Sequence, residues 1–200
     1  MLDKSIPYKD LIMKWEGNRQ CLQPVCVPPG YRLRTWREGD QKNWARIQKE
    51  AGEFGDMTLS QAEEWFLQEY GDRKEELSFR CLFAESMDGE ADGVCMAWTE
   101  VGTDGSLIPS LHWLAVRDTK KRPGHWNCPG PRGPAGIRGP GRGPGLSAHP
   151  ALELRGCWPV FKGLDFFLCR SETFGTHKNQ FQKGIRILEQ YLDVDPRLCR

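Results

Sequence analysis

Between residues 123 and 145, eight glycines and six prolines occupy 23 positions of a 200-residue chain. A helix cannot run through such a stretch: proline lacks the backbone donor and clashes with the preceding turn, and glycine adds chain entropy that folding must remove. The same stretch is electrically distinct. No acidic residue occurs from Thr119 to Leu152, and residues 117–147 hold seven Lys/Arg against Asp118 alone. The other 21 basic and 26 acidic residues carry −5, although the whole chain is +1. Residues 123–163 therefore read as an aberrant or disordered Gly/Pro/Arg-rich segment. They divide the chain into an N-terminal arm (1–30), a first globular part (31–122) and a C-terminal strand and helix (164–200).

The flanks have ordinary globular composition, with 38% hydrophobic and 28% charged residues overall. No apolar run is long enough to cross a bilayer. The start, Met1-Leu2-Asp3-Lys4-Ser5, is charged and has no apolar stretch behind it, so a cytoplasmic location is expected. A net charge near zero calls for neither nucleic acid nor an anionic membrane. The eight cysteines contain no Cys-x-x-Cys pair, so no metal site is expected and reduced thiols are.

Periodicity supplies the elements. The arm holds Ile6, Tyr8, Leu11, Ile12, Met13 and Trp15, apolar enough to strap onto a surface with one helical turn. Tyr31-Arg32-Leu33-Arg34-Thr35-Trp36 alternates as a half-buried strand does. Asp40 stands as an N-cap before a helix with Trp44, Ile47, Gln48 and Ala51 on one face, ended by Gly52. Ser60 and Glu63 have capping-box spacing before the stripe Ala62, Trp65, Phe66, Tyr70, which Gly71 stops. The charges of residues 72–76 read as a solvated loop. Strands are expected over 79–84 and 93–98, joined by Asp88-Gly89, and over 110–116. Ser110-Leu111-His112-Trp113-Leu114-Ala115-Val116 is apolar on both faces, as a central strand is. Residues 164–174 read as a strand, and Phe181, Ile185, Leu188, Tyr191 and Leu192 line a final helix before Asp195-Pro196. The order is α+β.

In this order and texture the chain resembles the GNAT superfamily of N-acetyltransferases. The strongest piece is the run Ser110 to Val116 followed by the basic turn Arg117 to Arg122. The resemblance covers residues 30–122 and, more loosely, 164–192. It implies a mixed, mostly antiparallel sheet flanked by helices. It also implies an acetyl-CoA-dependent transfer of an acetyl group to an amine. Leu114, Ala115 and Val116 would lie along the pantetheine, and Lys121, Arg122 and Gly124 would border the pyrophosphate. Successive N–H groups at a helix start suit phosphate oxygens, and glycine there allows close approach. His112, near-neutral in pKa by type, is the candidate base; Glu85 and Glu100 are alternatives.

The family pattern Arg/Gln-x-x-Gly-x-Gly/Ala departs here at its second glycine, where Trp126 stands, and Pro129, Pro131 and Pro134 follow where a helix should run. Each proline inside a helix costs about 3 kcal/mol. Read one nucleotide later, codons for residues 123–129 allow Gln-Gly-Ile-Gly-Thr-Ala-Leu, the second glycine being forced by Trp126 and Asn127. Residues 148–160 allow His-Thr-Gln-Pro-Trp-Ser-Tyr-Ala-Ala-Val-Gly-Leu-Tyr in the same shifted frame. A frameshifted segment that disrupts the cofactor loop is thus expected. The rival expectation is a non-catalytic binding module on the same scaffold, with 123–163 as a flexible basic arm. Gly130, Gly133, Gly136 and Gly139 recur in triplets, too few for a collagen helix.

Overall fold

The computed structural model describes residues 7, 9–15, 27–101, 105–120, 145–150, 166–171, 178–190 and 199. The elements are β1 Asp10–Trp15, β2 Tyr31–Thr35, α1 Gln41–Ala51, α2 Leu59–Tyr70, α3 Lys74–Arg80, β3 Cys81–Ser86, β4 Ala91–Val101, β5 Leu107–Val116, β6 Gly145–Pro150, β7 Phe166–Leu168 and α4 Phe181–Leu188. Short 3-10 turns cover Gly71–Arg73 and Asp118–Lys120. Among the described residues no helix is long and apolar enough to cross a membrane.

The chain divides into two compact units. The first contains Val27–Ala97 and His112–Trp126. There β2 pairs antiparallel with β3, from Tyr31↔Ser86 to Thr35↔Leu82. In turn β3 pairs antiparallel with β4, from Cys81↔Met96 to Glu85↔Ala91. The core is built by Trp44, Ile47, Phe66, Leu77, Phe83 and Met96, all sealed from water.

Helix boundaries follow local chemistry. Gly52 closes α1 in the left-handed region (φ 104°), where its N–H reaches Gln48 and Lys49 carbonyls. Asp40 occupies the N-cap position but makes no side-chain cap bond; its carboxylate turns instead to Arg34, Asn43 and the Arg37 N–H. The capping box of α2 is Thr58 with Gln61, not Ser60 with Glu63, because Thr58 is the residue with extended backbone before the first turn. Gly71 does not stop the chain's helical course. Residues 71–80 continue as a 3-10 turn and α3, since burying Leu77 outweighs the solvation of the charges around it. Phe79 accordingly lies in the last turn of a helix rather than starting a strand, and is half exposed.

The second unit holds residues 2–26, 98–111 and 127–200. Here β1 runs antiparallel to β6 on one side and to β7 on the other. Rather than strapping onto a surface, residues 10–15 are an interior strand with Leu11, Ile12 and Met13 fully buried. Parallel pairing of β5 with β6 occurs at Ser110↔Leu146. Ile12, Phe167 and Cys169 form a core with Ile108 against it. Helix α4 lies so close to β1 that a Cβ on Gly184 would stand 2.8 Å from Leu11 Cγ. Gln180 locks the entry of α4: its N–H donates to the Asp10 carbonyl at 2.9 Å, and its side chain accepts from the Asp10 N–H at 3.2 Å. Within residues 123–163, Gly145–Pro150 is strand β6; the others lie outside the described residues, as do Tyr191, Leu192, Asp195 and Pro196.

Candidate functional site

Of the residues the resemblance points to, His112, Leu114, Ala115 and Val116 share the last part of β5. All four are half-buried, although their run reads as a strand buried on both faces. Lys121, Arg122 and Gly124 lie outside the described residues. Glu100 lies on β4. Glu85 is buried, and its two oxygens accept from Arg32 and Arg34, so it serves as an ion-pair partner rather than an open base.

Trp113 interrupts the extended course of β5 with φ 52°, a left-handed conformation rare for an aromatic residue. Two helices hold it there. Gln48 of α1 donates from Nε2 to the Trp113 carbonyl at 3.2 Å, and the Trp113 indole N–H donates to Tyr70 Oη of α2 at 2.8 Å. Around the indole stand Trp44, Phe54 and Trp65, with centroids 5.1, 5.7 and 5.3 Å away. Such offset and edge-to-face packing adds to simple area burial. Of these rings Trp44 is fully buried, whereas Phe54, Trp65 and Trp113 are half-buried; nothing in periodicity announces the backbone turn at Trp113.

The exit from β5 is held by charge. Arg117 donates from Nε to both Glu50 oxygens at 3.1 and 3.0 Å and from Nη1 to Asp92 Oδ1 at 3.2 Å. Its guanidinium is held above its ordinary pKa, chiefly by the bond to Glu50. Lys120 Nζ stands 3.4 Å from Asp92 Oδ2, and Arg46 pairs with Glu90 at 2.9 Å. Asp92 and Glu50 escaped the sequence reading because each is an unremarkable acidic residue in its own segment; only folding brings them to Arg117.

A second, more buried network lies across β2 and β3. Arg34 donates to both Asp40 oxygens at 2.6 and 2.9 Å and to Glu85, which Arg32 also reaches. Burial pushes the Asp40 carboxyl up, but bonds from Arg34, Asn43 and the Arg37 N–H outweigh it and leave its pKa below the usual value. Bonds from Arg32 and Arg34 lower that of Glu85. Both groups therefore bind protons less readily folded than unfolded. Their stabilisation is present above the unfolded carboxylate range and lost as pH falls through the lower folded values. Urea midpoints should be flat above about pH 5 and fall steadily below about pH 4.5. Glu85→Gln should make that acid dependence shallower; an unchanged slope would count against the assignment.

No family model matches the chain, and no curated protein matches it. Solved structures do. A crystal structure of a GCN5-related N-acetyltransferase from Sphaerobacter thermophilus aligns over 81% of this chain with TM-score 0.52 and 16% identity. The chain spans 49% of that protein's length. A protein of Pyrococcus horikoshii designated a candidate acetyltransferase aligns over 51% of this chain and 32% of its own length, with TM-score 0.39 and 15% identity. The helix-flanked, mostly antiparallel α+β architecture is the GCN5-related N-acetyltransferase fold.

Proposed function

We propose that this is an acetyl-CoA-dependent N-acetyltransferase scaffold whose cofactor loop is impaired by the sequence of residues 123–163. The observation that carries the reading is β5 itself: an apolar strand ending in Leu114, Ala115 and Val116, left half-buried, and running straight into a basic turn. That is where an acyl-pantetheine would lie in this fold. Acetyl-CoA would supply the acetyl group as a thioester. When bound, it would give its acetyl carbon to the amine nitrogen and keep the thiol sulfur. His112 would take the proton from the amine. Lys121, Arg122 and Gly124 would border the pyrophosphate. Trp126 replaces the small residue that the phosphate turn needs, and the prolines after it oppose a helix there. The location proposed is cytoplasmic.

The test is binding. By calorimetry this chain should take up acetyl-CoA at no better than millimolar strength. The same chain with residues 123–163 encoded in the shifted frame should bind at micromolar strength. Micromolar binding by the chain as written would refute the impairment. Absence of binding by both would refute the acetyltransferase reading. It would favour the rival, a non-catalytic module with a basic arm, whose ground is the Arg-Gly composition of that segment. Sequencing the gene across codons 117–167, with an intact mass, decides whether the shift is real.

A further inference from the structure

Strands β3 and β4 fall out of register at one place. Ala84 pairs with Gly93 and Glu85 with Ala91, so Asp92 is an extra residue with no partner on β3. Such a bulge re-aims the residue it inserts. Asp92 is fully buried, and its backbone and side chain are both engaged. Its carbonyl accepts the Arg117 N–H at 2.8 Å. Its carboxylate accepts from Arg117 Nη1 at 3.2 Å and from Tyr31 Oη at 3.1 Å, with Lys120 Nζ at 3.4 Å. The Lys120 N–H then donates to the Arg117 carbonyl at 2.9 Å, closing the 3-10 turn. The next residue, Gly93, completes the contact: a Cβ there would meet the Ala115 carbonyl at 3.4 Å and Val116 Cγ2 at 3.5 Å. The charges around the turn balance, with Arg46, Arg117 and Lys120 facing Glu50, Glu90 and Asp92.

We infer that the Asp92 bulge is a seat that positions the turn leaving β5. Asp92 is thus a positioning residue for the anion-binding loop that follows, and Arg117 and Lys120 are tethers spent on the protein's own carboxylates rather than on a ligand. This rests on the acetyltransferase reading only for the loop's purpose; the seat itself is a statement about the turn.

Site-resolved amide hydrogen exchange on the full chain tests it, with and without coenzyme A. Asp92→Asn keeps the shape and removes the charge. It should speed exchange at the Arg117 and Lys120 amides roughly tenfold while Leu33 and Ala84 in β2 and β3 are unchanged. Arg117→Gln, at a more accessible side chain, should do the same and carries the test if Asp92→Asn does not fold. Arg117→Lys should recover part of the lost protection, because it restores a cation to Asp92 but not the fork that also holds Glu50. Unchanged exchange at 117 and 120, equal acceleration at the control amides, or no rescue by lysine would each overturn the seat. Coenzyme A failing to protect any amide of the chain with residues 123–163 encoded in the shifted frame, with the variant pattern intact, would count against the acetyltransferase reading and not against the seat.

Discussion

Replacing Arg34 by leucine should cost the first unit about 3–5 kcal/mol, because it leaves the buried Asp40 carboxylate without a cation and Glu85 with Arg32 alone. Arg34 is 9% exposed, and the Asp40 and Glu85 side chains are 5% and 4% exposed. The cost lies in the orphaned Asp40 charge more than in the lost attraction. Arg34→Lys should therefore recover little: a lysine ammonium cannot reach both Asp40 oxygens and Glu85 from one planar fork. Removing all three charges together, as R34M/D40L/E85M, should restore much of what R34L loses. Urea unfolding followed by circular dichroism gives these values. A loss under about 1 kcal/mol for R34L would mean that both carboxylates reach water once Arg34 is gone.

Trp44→Ala should be comparably severe, about 3–5 kcal/mol. Trp44 is fully buried and touches Phe54, Trp65, Phe66 and Trp113 with centroids between 4.9 and 5.7 Å. Folding free energies of 5–15 kcal/mol leave little margin after such a loss. Trp44→Phe separates two effects. The indole Nε1 of Trp44 is buried with no hydrogen-bond partner, and phenylalanine removes that uncompensated donor while keeping most of the apolar surface. Its cost should be less than half that of alanine. Equal costs for the two variants would mean that ring size and not ring presence holds the cluster.

Helices α1 and α2 were readable because amphipathic periodicity and caps are local properties. Trp44, Ile47 and Phe66 face inward as spacing requires. Where reading failed, a distant contact outweighed a local signal. Charges at 72–76 suggest a loop, yet burial of Leu77 draws them into a 3-10 turn and α3. The apolar residues of 10–15 suggest an arm, yet a place between β6 and β7 makes them a strand, because each edge satisfies one row of backbone groups. Of the candidate site, the strand run 110–116 was legible from its composition, and the turn after it from its charge. Its anchoring to Asp92 and Glu50 was not, because those carboxylates stand 25 and 67 residues from Arg117.

Local sequence was enough to place β2, α1, α2, the three strands after them and the final helix, the apolar strand with a basic turn behind it, and the composition break that separates residues 123–163 from their neighbours. Each depends on neighbours in the chain: side-chain period, caps, proline and glycine. The bulge at Asp92, the left-handed Trp113 and the pairing of Arg34 with both Asp40 and Glu85 depend on three-dimensional assembly. A register slip, a strained φ and a buried ion pair are each unfavourable alone. They persist only because packed helices and strands bring partners that no local stretch of sequence contains.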